Sequence, residues 1–96
     1  MQQFVIIAFD GTDPDALNRR LAARPAHLEN VGKLKARGQF TEGGALLDDN
    51  GKMIGSMMIV SFADKADLDH WMESDPYVAG KVWERVEVMP YRSAKV

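Results

Sequence analysis

Residues 40–62 read FTEGGALLDDNGKMIGSMMIVSF, two apolar runs on either side of Asp48-Asp49-Asn50-Gly51. Asn-Gly tolerates the positive φ of a tight hairpin turn. Phe40 to Leu46 and Met53 to Phe62 are therefore expected to pair as consecutive antiparallel strands. Gly43-Gly44 inside the first of them marks a bulge or a close backbone approach. Upstream, Phe4 to Phe9 is a continuous apolar run closed by Asp10-Gly11, the pattern of a buried strand and a turn. Downstream, Val82 to Tyr91 carries the pattern of a fourth strand.

Helical signals fill the gaps between these strands. Asp13-Pro14 has the form of an N-cap with proline at the first helical position. Leu17, Leu21, Leu28, Val31 and Leu34 recur at helical spacing and mark an apolar stripe. Pro25 disfavours helical geometry just before it. The spacing predicts a short helix, a kink or break near Arg24, then a second helix ending at Gly38. Asp64 caps a further helix, with Asp67 placed like the acid of a capping box and Leu68, Trp71 and Met72 as its apolar face. Asp75-Pro76 starts a short helical turn. The order is strand, helix, strand, strand, helix, strand. An α+β, ferredoxin-like βαββαβ fold satisfies it with short connections, its four-stranded antiparallel sheet carrying both helices on one face.

The 96 residues suit one domain, residues 1–96. With 46% hydrophobic and 27% charged residues the chain lies outside the disordered class, and its lack of cysteine excludes disulfides and thiolate chemistry. The formal net charge is -2 and the basic residues are scattered, which argues against a nucleic-acid partner. Met1-Gln2-Gln3 lacks the basic segment of a signal peptide, and the Phe4–Phe9 run is too short to cross a bilayer. A cytoplasmic location without a membrane partner is expected.

A sheet with helices on one face and water on the other alternates apolar and polar residues. These strands do not. Phe4, Ile6 and Ala8 oppose Val5, Ile7 and Phe9; Ile54, Met58, Val60 and Phe62 oppose Met53, Met57 and Ile59. In the last strand Val82, Val86 and Val88 oppose Trp83, Met89 and Tyr91. Each apolar side chain left in water forgoes roughly 1.5–3 kcal/mol. A homodimer packed sheet to sheet is the expected remedy.

Few residues can carry chemistry. Two histidines cannot build a three-histidine metal site, and neither a metal nor a cofactor is expected. His70, beside Trp71, reads as a surface residue. His27 lies four residues before Val31 and seven before Leu34, on the buried side of a helix expected to start at Pro25. The field of that helix N-terminus would favour a neutral ring. A neutral imidazole accepts protons, and its ordinary pKa of about 6.5 suits that task. The plainer alternative is a histidine bonded to a backbone carbonyl. Arg24 can hold a ligand carboxylate or phenolate by a bidentate pair. Asp75 either caps the turn that follows it or accepts the ring N–H of His27, and its two oxygens allow both. Ser56, a polar interruption among apolar neighbours, can bond a ligand over the sheet or bond locally.

Arg24-Pro25-Ala26-His27, Gly38, Gly43-Gly44, Gly55-Ser56, Asp75-Pro76-Tyr77 and Val86-Glu87-Val88-Met89-Pro90 together resemble the YciI-like (YCII-related) family, from about Phe4 to Tyr91. Ala45 stands where a proline often follows the paired glycines of relatives. The resemblance implies a dimeric α/β-barrel of ferredoxin-like subunits with a histidine–aspartate pair in a pocket. It carries over His27 and Asp75 as catalytic residues and Arg24 and Ser56 as substrate contacts. A relative in chloroaromatic breakdown is similar to a dehydrochlorinase. The expected function is a cofactor-free lyase, isomerase or dehydrochlorinase-like enzyme acting on a small anionic or aromatic metabolite. The alternative is a domain that binds such a molecule without converting it.

Overall fold

In the computed structural model, which describes residues Met1–Val96, the chain runs β1 (Gln2–Asp10), α1 (Ala16–Ala36), β2 (Phe40–Leu47), β3 (Met53–Phe62), α2 (Lys65–Ser74), α3 (Pro76–Ala79) and β4 (Trp83–Pro90). The strands form one antiparallel sheet in the order β2-β3-β1-β4, the ferredoxin-like arrangement expected. No helix is long and apolar enough to cross a membrane.

The barrel implied by the family resemblance is not formed. β2 and β4 are the two edges of the sheet and do not pair with each other, so the sheet is open. Four strands about 4.8 Å apart make a ribbon too narrow to curl around side chains, which takes about eight strands.

The hairpin is as expected. Asp48 and Lys52 close it through Asp48 N–H to the Lys52 carbonyl at 2.9 Å, and Gly51 sits at φ +82°, where a side chain would be strained. The register shifts of β2 lie between Phe40 and Glu42 and between Leu46 and Leu47, not at Gly43-Gly44. Gly43 instead marks the close backbone approach: a Cβ there would lie 3.0 Å from the Met57 carbonyl oxygen.

Two helix expectations need correction. α1 begins at Ala16, and the Asp13 carboxylate accepts the Asp15 N–H and the Arg19 guanidinium instead of capping at Pro14. There is also no break near Arg24; α1 is continuous through Pro25. Proline deprives the Leu21 carbonyl of its helical donor, but Leu21 is half-exposed and water can serve that carbonyl. Buried residues on both sides of Pro25 hold the helix to the sheet, against a proline cost of about 3 kcal/mol. α1 then ends as expected, with Gly38 at φ +74° just past it.

The core sits between the helices and one sheet face. Phe4, Ile6 and Ala8 of β1 and Met58, Val60 and Phe62 of β3 point into it, packed against Leu34, Leu68, Trp71 and Tyr77. Their odd-numbered neighbours Val5, Ile7, Met57 and Ile59 are half-buried on the open face. Trp83 departs from the expected alternation. A register shift between Phe9 and Asp10 pairs Asp10 with Trp83, which turns Trp83 onto the helix side, where it is buried.

Candidate functional site

The buried meridian of α1 runs through Ala16, Arg20, His27 and Leu34, with Ala23 and Val31 packed beside it. Leu21 and Leu28 from the expected leucine stripe are 49% exposed. At about 100° of rotation per residue, the leucines lie a quarter turn from Arg20 and His27. The helix therefore turns two polar side chains onto the sheet.

His27 is buried, and its Nδ1 lies 2.8 Å from Oδ2 of Asp75, which is wholly buried. An ionised carboxylate only accepts, so Nδ1 carries the hydrogen and Nε2 is left with its lone pair when the ring is neutral. Nε2 has no protein partner and is not sealed from solvent. The ring lies flat on Tyr77, with centroids 3.7 Å apart and planes at 12°. His27 occupies the middle of α1 rather than a helix start, so the expected N-terminal field does not reach it.

Asp75 performs both roles open to it. Oδ2 also accepts the Tyr77 backbone N–H at 3.0 Å, capping α3, while Oδ1 accepts from Asn30 Nδ2 at 2.9 Å. Three donors on one buried carboxylate leave it little freedom to turn away from the imidazole.

Beside this pair lies a second buried group. Arg20 donates from Nε to Oδ2 of Asp10 at 2.6 Å and from Nη2 to its Oδ1 at 3.2 Å. The same Nη2 donates to the Gly55 carbonyl and to Oγ of Ser56, each at 2.6 Å, and Nη1 donates to the Tyr77 hydroxyl at 3.3 Å. Trp83 Nε1 donates to Ser56 Oγ at 3.2 Å. Burial holds the Tyr77 phenol above the ordinary tyrosine range, opposed by the charges of Arg20 and Arg24.

Several of these groups line one recess of about 90 Å³ between α1, α3 and the β2–β3 half of the sheet. Its polar wall is Arg20, Arg24, His27, Ser56 and Tyr77, and Val31, Phe40 and Met58 supply apolar surface. All four residues expected at the site are thus brought together: His27, Arg24 and Ser56 line the recess, and Asp75 stands behind His27. Arg24 is exposed at the rim and makes no ion pair, whereas Arg20 is matched by Asp10. His70 is on the surface.

Arg20, Asp10, Tyr77, Asn30 and Trp83 were not foreseen. Arg20 lies seven residues before His27, the spacing that placed His27 itself, and Asp10 continues the alternation of Phe4, Ile6 and Ala8. Both signals were legible. Trp83 carried none, because its facing depends on the register shift.

A family model described as YCII-related domain matches residues 3–92. Protein YciI of Escherichia coli is 35% identical over 95 residues, covering 93% of this chain and 95% of the relative. An uncharacterized protein of Haemophilus influenzae is 33% identical over 95 residues, with the same coverage of 93% and 95%. Among solved structures, 5-chloro-2-hydroxyhydroquinone dehydrochlorinase from Burkholderia phenoliruptrix, in complex with 2,5-dihydroxybenzoquinone, superposes with a TM-score of 0.83 at 25% identity, covering 96% of this chain and 95% of that one.

Proposed function

The chain belongs to the YCII-related family, and from that premise we propose that it is a cofactor-free enzyme in which His27 moves a proton on a small ring bearing an acidic oxygen. One observation carries this reading. The imidazole is tied through Nδ1 to a wholly buried carboxylate at 2.8 Å, while Nε2 has no partner beside a recess. Nε2 takes the proton, and Asp75 stabilises the imidazolium that results. Arg24, the unpaired cation at the rim, attracts the anionic group, and Ser56 meets charge developing deeper inside. At about 90 Å³ the recess is well below the roughly 300–1,000 Å³ of drug-sized sites, which favours a single ring over a nucleotide.

Likeness to the dehydrochlorinase supports elimination of hydrogen chloride as the reaction. His27 takes the proton of one ring hydroxyl and returns it to the chlorine-bearing carbon, giving a keto tautomer. A second hydroxyl then loses its proton and becomes a carbonyl, the neighbouring C=C pair shifts to the chlorinated carbon, and the C–Cl pair leaves with chloride, so that a hydroxyquinone and hydrogen chloride result. On the same reading the half-buried apolar residues of the open face seat a second copy, giving a homodimer of stacked open sheets. Sedimentation as a single copy at micromolar concentration would overturn that assembly.

The test is chloride release from 5-chloro-2-hydroxyhydroquinone. His27→Ala should lower turnover by at least about 100-fold, the usual scale of a lost acid–base group, with the fold intact. Arg24→Ala should chiefly raise KM. Undiminished turnover in His27→Ala sinks the assignment. A compound bound but recovered unchanged, with affinity lost in Arg24→Ala and kept in His27→Ala, establishes the binding-domain reading instead.

A further inference from the structure

Asp75 is wholly buried, and its one ion-pair partner is the His27 ring, which is charged only when protonated. Hydrogen bonds must therefore hold its negative charge, because a buried carboxylate without donors or a counter-charge is costly. The donors are unequally shared. Oδ2 accepts from His27 Nδ1 at 2.8 Å and from the Tyr77 backbone N–H at 3.0 Å. Oδ1 accepts from Asn30 Nδ2 alone, at 2.9 Å. Asn30 follows His27 by three residues on α1, the spacing that sets two side chains on one helix face. One turn of helix thus brings one donor to each oxygen of the same carboxylate. Asparagine is a poor helix former, yet Asn30 stands well inside α1. It does not line the recess.

We infer that Asn30 is a positioning residue that acts through Oδ1 of Asp75 to set how tightly His27 holds a proton. A carboxylate shares its charge among its donors, so the Asn30 bond to Oδ1 moderates the pull of Oδ2 on the imidazolium. Without that bond the charge is left to Oδ2, and a protonated ring becomes the better partner. The balance matters for a base that must also give its proton back. A ring that holds the proton too tightly accepts it readily and returns it slowly. Asn30 also opposes rotation of the carboxylate, which keeps Oδ2 aimed at Nδ1. The charged and titratable groups facing His27 are Arg20 and Arg24 of α1 and Tyr77 of α3. Burial holds the Tyr77 phenol up, so it does not titrate with the imidazole. Asp10 of β1 faces Arg20. From β2 and β3 come Phe40, Ser56 and Met58, from β4 Trp83, and α2 turns Leu68 and Trp71 inward, all without charge. None of these groups changes when Asn30 is replaced. This inference rests on the proposed proton transfer at His27 and adds the residue that tunes it.

The first readout needs no substrate. Nitrogen NMR of the His27 ring reports the pH at which Nε2 gains its hydrogen. Asn30→Leu keeps the bulk of the side chain, removes the donor and keeps water from Oδ1. It should raise that pH by about 0.5–1 unit, roughly a three- to tenfold tighter hold on the proton. Asn30→Met carries the same expectation if circular dichroism shows the leucine variant unfolded. In an Asp75→Asn background the carboxylate is gone, and adding Asn30→Leu should leave the midpoint where that background has it. The second readout is chloride release from 5-chloro-2-hydroxyhydroquinone. Asn30→Leu should lower kcat by up to about the same three- to tenfold factor at unchanged KM. An unmoved midpoint in the folded variant makes Asn30 merely structural and overturns the inference. An equal shift with and without the Asp75 carboxylate overturns it too, because Asn30 would not be acting through Asp75. A raised KM with kcat kept would make Asn30 a ligand contact, which is equally fatal. Absence of chloride release by the native protein refutes the dehydrochlorinase reading instead, while the titration still judges Asn30.

Discussion

Replacing Arg20 with Met is the most severe test of how this site is held. The side chains of Arg20 and Asp10 are 2% and 3% exposed, so removing the guanidinium leaves a carboxylate with no water to replace it. Breaking a buried pair from one side costs about 3–5 kcal/mol. The Gly55 carbonyl loses its Arg20 donor as well, adding about 1–3 kcal/mol if nothing replaces it. A chain of 96 residues has about 5–14 kcal/mol of stability in all, so Arg20→Met should lose a third of it or more. In urea, with a slope of about 1–1.5 kcal/mol per molar, the midpoint should fall by about 2–8 M. Adding Asp10→Leu removes the orphaned charge, and the double variant should recover to within about 1–3 kcal/mol of the native protein, the remainder reflecting Gly55. Arg19→Met is the control: its pair with Asp13 is 34% and 48% exposed, and its loss should move the midpoint far less. If the single and double effects simply add, with coupling under about 0.5 kcal/mol, Asp10 and Arg20 are not an energetically linked buried pair. The physical basis of the Arg20 network then fails.

Two further outcomes follow from close geometry and from charge. A Cβ on Gly55 would run into the Ala8 carbonyl oxygen across the β1–β3 ladder. Gly55→Ala should therefore cost about 1–3 kcal/mol or more in denaturant unfolding and disturb the Arg20 bond to the Gly55 carbonyl; native-like stability would contradict the packing. The Asp13 carboxyl is held at about 2 rather than 3.8, first by its hydrogen bonds from Arg19. Its folded value is depressed, so its stabilising effect is complete above the unfolded value and is lost as pH falls from near 4 through about 2. Carboxyl NMR should show that midpoint, and Arg19→Met should return it to the ordinary range.

Much of the site was legible because burial in secondary structure is periodic. Val31 and Leu34 placed His27 on the inner side of α1, and Asp-Pro identified Asp75 as a cap able to take a further partner, although in the fold a single oxygen, Oδ2, serves both the cap and His27. The same periodicity misled where hydrophobicity served as a proxy for burial. Leu17, Leu21 and Leu28 drew the stripe toward one flank, whereas Arg20 and His27 lie on the buried meridian. A guanidinium can be buried when an Asp, a carbonyl and two hydroxyls surround it, and no one of those partners is within nine residues of it along the chain. Pro25 misled for a related reason, since its local penalty was outweighed by packing on both sides.

By itself the sequence determined the element order, the hairpin, the doubly apolar strands and the inward face of His27. Each follows from local stereochemistry and from residue alternation. Tertiary structure decided that the sheet stays open, that α1 runs unbroken, and that a register shift brings Trp83 onto Ser56. It also decided that Arg20 and Trp83 converge on the Ser56 and Tyr77 oxygens, because partners so far apart along the chain meet only once it has closed around them.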